Sequence, residues 1–186
     1  MSSKASAPTG SAAPAPLWVT AVGGASRLFG VAAAGMILLS VIVVCQMVFV
    51  RSVLHQSTVW QTEFVMYLIV AATFIGSPYI LLTHGHVAVD VLPLMLRTPM
   101  RRVLHAVGTL IALVFCGFFL YAAVPWWYET WVSGQTTSSI WRARVWIPYL
   151  SVPVGLALLC LQLLAELWMV LTQRAHPFGL SPEDVL

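Results

Sequence analysis

Four stretches of this chain run for 19 to 23 residues with almost no charge, and no other feature limits its folding so tightly. Leu28–Val50 holds 23 uncharged residues, Phe64–Leu82 holds 19 with Pro78 near its end, and Val103–Val124 holds 22 with His105 in its first turn. Tyr149–Leu171 holds 23, with Pro153 in its first turn, Gln162 near the middle and Glu166 towards the end. At 1.5 Å per residue, each run covers most or all of a hydrocarbon core of about 30 Å. Isolated strands cannot satisfy their backbone in lipid, so the runs predict helices. The expected fold is an all-α integral membrane protein with four transmembrane helices. Only 8% of the residues are charged, against about 25% in soluble domains.

The runs divide the chain. Residues 1–27 read as a proline- and serine-rich disordered tail followed by a juxtamembrane segment, Leu17–Arg27, lying at the membrane surface. Residues 28–171 form the transmembrane domain, and 172–186 a cytoplasmic C-terminal tail. The net charge of +3 does not point to nucleic acid, because the basic residues sit between apolar runs. Their distribution sets an orientation. Lys4, Arg27, Arg97, Arg101, Arg102 and Arg174 fall on one side of the predicted topology, and only Arg51, Arg142 and Arg144 on the other. The excess of six over three predicts cytoplasmic N- and C-termini and a cytoplasmic 83–102 loop.

Leu81 to Asp90 is the most chemical-looking loop, with His84, His86 and Asp90 around Gly85. A metal site would lack a clear fourth ligand. A b-type haem would need histidines on facing helices at one depth, whereas His84 and His86 are two residues apart and His55 lies in the opposite loop. An elbow accounts for more: Gly85 ends the helix, Asp90 caps a short membrane-surface helix after the second span, and Pro93 falls in its first turn, where a missing N–H is harmless. Cys45, Cys116 and Cys160 lie in three different runs and read as packing thiols. Trp126, Trp127, Tyr128, Trp131, Trp141 and Trp146 crowd the third loop, 125–148, and suit an aromatic belt at the water–lipid boundary, with a ligand platform or partner contact as the other uses.

Thr58 to Gln61 fits a capping box, and Glu63 follows in the second turn, where the helix dipole favours a carboxylate. Glu63 is either a helix start signal or a contact to Arg51 or to a partner subunit. Small residues recur four apart in every run (Gly30 and Ala34, Ala72 and Gly76, Gly108 and Ala112, Ser151 and Gly155), a spacing that lets helix backbones approach. Gln162 and Glu166 share a helix face, and Glu166 reads as a boundary or interhelix polar contact, with ion coupling as the alternative.

The order of Trp60-x-x-Glu63, Gly76, Gly85-His86-x-x-x-Asp90, Trp146 and Leu150-x-x-Pro153-x-Gly155 resembles the small membrane subunit of TRAP (tripartite ATP-independent periplasmic) transporters. The resemblance runs from about Val50 to Leu171. Thr62 and Thr83-His84 depart from the more usual acidic or charged residues. It implies a non-catalytic subunit without cofactor or metal in a bacterial inner membrane. The subunit would be stably bound to a large membrane subunit that carries the substrate and sodium sites, and served transiently by a periplasmic substrate-binding protein delivering an organic acid. Arg51, Trp60, Glu63, Gly76, Gly85, His86, Asp90, Trp146, Pro153 and Gly155 become the candidate structural or partner-facing residues. Two other classes remain in view: a haem-bearing or quinone-linked membrane redox anchor, and an independent small transporter, which the scarcity of midplane charges disfavours.

Overall fold

Backbone groups that leave water need hydrogen bonds within their own segment, and the apolar runs obtain them as helices. The computed structural model describes residues 16–83 and 98–172. The helices are α1 (Leu17–Val53), α2 (Val59–Leu82), α3 (Thr98–Val132), a single turn α4 (Trp146–Tyr149) and α5 (Ser151–Leu171). Four segments are long and apolar enough to cross a membrane: α1, α2, Val103–Val132 of α3, and Trp146–Leu171. Among the described residues there is no strand, only one isolated antiparallel bridge, Thr136 to Arg144.

Two helix limits differ from expectation. The expected surface segment Leu17–Arg27 is instead the first turns of α1, whose 37 residues reach about 55 Å at 1.5 Å per residue. A helix that leaves the hydrocarbon can carry Arg27 without breaking, since the side chain meets water there. The third helix likewise continues through Pro125 to Val132, so Trp126, Trp127, Tyr128 and Trp131 are helical, and the loop shrinks to 133–145. The second helix starts at Val59, directly after the expected cap Thr58 and five residues before the charge-free run begins at Phe64. The expected surface helix after the second span, with His84, Gly85, His86 and Asp90, lies outside the described residues.

The ends have local causes. After α1, His55 takes φ 49°, and after α3, Gly134 takes φ 62°; the left-handed conformation turns each chain out of its helix. Residues 135–145 then fold back as a small hairpin, with Thr137 N–H donating to Ala143 O at 3.0 Å and Val145 N–H to Gln135 O at 3.3 Å.

α5 is the most buried span, and α1 and α3 the least. α1 packs mainly on α2, α3 on α5, and α2 on α5, so α2 and α5 form the middle of the bundle. The interior is built from small side chains, including Ala33, Ala72 and Ala165, with Leu156, Leu163 and Val170. In lipid, where tails are as apolar as leucine, close backbone approach supplies the packing that water exclusion supplies elsewhere.

Candidate functional site

The predicted residues fall on three levels of the bundle. At the end carrying the α1–α2 turn and the 133–145 loop, Thr58 is the N-cap of α2 as expected, but its side chain makes no capping bond. Instead Thr62 Oγ1 donates to Thr58 O at 3.2 Å. Gln61, expected to complete the capping box, is only 3% exposed, and its Oε1 is enclosed without a hydrogen-bond partner. Gln61 shares a helix face with the buried Val65, Ala72 and Gly76, and that packing holds it away from the helix end. Glu63 is half-buried with Oε2 enclosed and unpartnered. Arg51, in the last turn of α1, is exposed, and among the described residues no ion pair joins it to Glu63.

Rings join the elements at this end. Trp141, in the loop, lies 6.5 Å from Trp60 and 6.3 Å from Phe64, centroid to centroid. Trp126 stacks on Tyr149 at 4.6 Å, and Tyr149 meets Tyr67 of α2 edge-on at 6.4 Å. The Trp127 indole donates to Trp146 O at 3.0 Å, while the Trp146 ring sits 6.5 Å from Trp131. Trp60 and Trp146 therefore belong to one aromatic layer binding α2, α3, α4 and the loop. Such pairs contribute about 0.5–1.5 kcal/mol each beyond the area they bury.

In the middle, Gly76 and Gly155 mark helix crossings. A Cβ built on Gly76 would lie 3.1 Å from the Ala33 methyl of α1. One on Gly155 would run into the backbone carbonyl of Phe74 in α2. That carbonyl is special, because Pro78 lacks the N–H that would bond it along the helix. Ser77 Oγ donates to it at 2.9 Å in place of the missing backbone donor, and the α5 backbone at Gly155 packs over it. Pro78 itself is fully buried. Pro153 is buried in the first turn of α5, where its missing N–H leaves nothing unsatisfied.

Beyond this crossing, two buried polar links tie the helices together. Ser26 of α1, wholly buried, donates from Oγ to Gln162 Oε1 of α5 at 3.0 Å. One turn along α5, Glu166 Oε1 lies 3.3 Å from His105 Nε2 of α3, an ion pair whenever the imidazole is protonated. Gln162 and Glu166 thus tie α5 to two helices at once, which their four-residue spacing permits. Glu166 has the interhelix role among those expected; its partner, and Ser26 altogether, were not identified from the sequence. The signal for the partner was a histidine inside an apolar run. The described histidine in a helix thus faces a carboxylate. Among the described residues no group of three His, Cys, Asp or Glu could hold a metal ion. The free thiols Cys45, Cys116 and Cys160 lie on three different helices.

The sequence model of the DctQ component of tripartite ATP-independent periplasmic transporters matches residues 40–173. The chain belongs to the DctQ family. A curated relative, the C4-dicarboxylate TRAP transporter small permease protein DctQ of Pseudomonas aeruginosa, is 30% identical over 132 residues, which cover 70% of this chain and 63% of that protein. The chain therefore matches less than two thirds of the relative's length. No solved structure matches. The DctQ match takes in every candidate residue from Arg51 to Gly155, together with His105, Gln162 and Glu166. It begins at residue 40, so the first turns of α1 and Ser26 fall before it.

Proposed function

We propose that this DctQ chain is the non-catalytic small permease subunit of a sodium-coupled, binding-protein-dependent organic-acid transporter, and that it holds the large transport subunit in place without moving substrate itself. Family membership carries the proposal. The relative named for C4-dicarboxylates supports a short dicarboxylate as the cargo of the complex. The scaffolding role is supported by how the interior is used. Transport sites near the midplane are typically built at broken helices from facing polar or charged groups. In this chain the middle of the bundle is a glycine crossing, and the interhelical His105–Glu166 pair lies towards one end. The exposed apolar faces of α1 and α3 offer surface to lipid or to a large partner.

In this reading the large subunit is a stable partner and a periplasmic binding protein a transient one. The chain resides in a bacterial inner membrane with both termini cytoplasmic, as the six-to-three basic split supports. Proteoliposome uptake of a radiolabelled C4-dicarboxylate tests it. The chain alone should give no sodium-dependent uptake, and the chain with its large subunit and binding protein should give uptake that stops when choline replaces sodium. Uptake by the isolated chain would overturn the scaffold role.

A further inference from the structure

A groove of about 710 Å³ opens on the bundle surface between α2 and the α4–α5 segment, within the 300–1,000 Å³ range common for small-ligand sites. Its wall on α2 runs from Phe64 to Ile75, eleven residue steps or about 16 Å of helix, which is half of a hydrocarbon core of about 30 Å. On the other side it runs down to Val154 of α5, and Met36 of α1 also lines it. At its outer end stand Arg142 and Arg144 of the 133–145 hairpin. Both are exposed, neither has an ion-pair partner among the described residues, and the lining contains no carboxylate. Glu63, one residue before Phe64, is not part of the lining.

The geometry points to a binding site for one anionic phospholipid of the leaflet on the side of the α3–α4 loop. The apolar trough matches the depth of a single leaflet, so an acyl chain fills it from the boundary to the midplane. A transmembrane helix of a partner would need a seat running through both leaflets. The two guanidiniums stand at headgroup level, where arginine recognises phosphate through paired N–H donors. Two uncompensated cations at one mouth favour a headgroup of net negative charge over a zwitterion. Trp141, packed on Trp60 and Phe64, lines the same mouth and marks the water–lipid boundary. The hairpin bonds across residues 135–145 hold the backbone that carries both arginines beside the groove.

Native mass spectrometry of the full-length chain in detergent, titrated with dioleoylphosphatidylglycerol or dioleoylphosphatidylcholine, provides the test. One saturable equivalent of phosphatidylglycerol is expected, bound at least fivefold more tightly than phosphatidylcholine. Arg142→Asn together with Arg144→Gln should remove that preference; asparagine is chosen because residue 142 has φ 47°, which it tolerates. Ala71→Phe, which fills the trough, should weaken both lipids, and Val154→Trp serves if that variant does not fold by circular dichroism. Arg51→Gln, exposed at the same end but outside the groove, should change neither. Equal affinity for the two lipids, binding without saturation, or an unchanged preference in the double arginine variant would each defeat the assignment. In the assembled complex, a photoreactive benzoylphenylalanine in place of Ile147, on the exposed rim of the groove, should capture lipid. Capture of the large subunit or of a second copy would defeat it too.

Discussion

Gly155 and Gly108 are the same residue type in two helices of one bundle, yet they should respond oppositely to a methyl group. At Gly155 the added Cβ meets the backbone carbonyl of Phe74, which cannot rotate away; at Gly108 it meets open space. Gly155→Ala should therefore lose about 1–3 kcal/mol, the usual cost of overpacking a tight contact. Gly108→Ala should lose nothing, since alanine is the better helix former by about 1 kcal/mol in aqueous scales. Thermal unfolding in detergent, followed by circular dichroism, checks the pair, and equal midpoints would remove the crossing at Gly155 from the account. The small-residue spacing was legible in all four runs. It states which backbones are able to approach, and says nothing of which face has a neighbour. Gly30, Gly76 and Gly155 meet other helices closely, while Gly108 is exposed.

Between elements, the polar links should behave as pairs. Ser26→Ala removes the donor to the buried Gln162 Oε1, and the expected cost is about 1–3 kcal/mol, because that acceptor is left buried and unpaired. Gln162→Leu added to it should recover much of that loss, because no polar atom is then left without a partner. A cycle of the two single variants and the double variant, read by unfolding midpoint, would expose additive losses if the bond is unimportant. His105→Ala and Glu166→Gln, read through a second cycle, should show a coupling of about 0.5–3 kcal/mol, as contacting polar residues do. Helix limits were the weaker part of the sequence reading at this scale. Charge-free runs mark the stretch that hydrocarbon requires, whereas α1 and α3 extend beyond it through Arg27 and through the tryptophans after Pro125. Water and the interfacial layer accept those side chains, so nothing in their composition ends the helix.

For the whole molecule, the proposed orientation rests on the charges in the connections. A cysteine at Gly134, in the loop after α3, should react with a membrane-impermeant maleimide in intact cells, and one at Thr98 should react only after permeabilisation. The reverse pattern would turn the topology over. Four spans were determined by the sequence alone, because the cost of leaving a backbone unbonded or a charge unhydrated in lipid is local and can be read residue by residue. The family also lay in the sequence, through the order of short motifs from Trp60 to Gly155. Tertiary structure alone decided what those residues touch. Gln61 turned from a cap to a buried face, Trp60 found Trp141 some eighty residues away, and Phe74 offered Gly155 a carbonyl freed by Pro78. Such contacts depend on how four similar apolar cylinders rotate and pair. Hydrophobicity, nearly uniform around each of them, leaves that choice to steric fit and to a few buried hydrogen bonds.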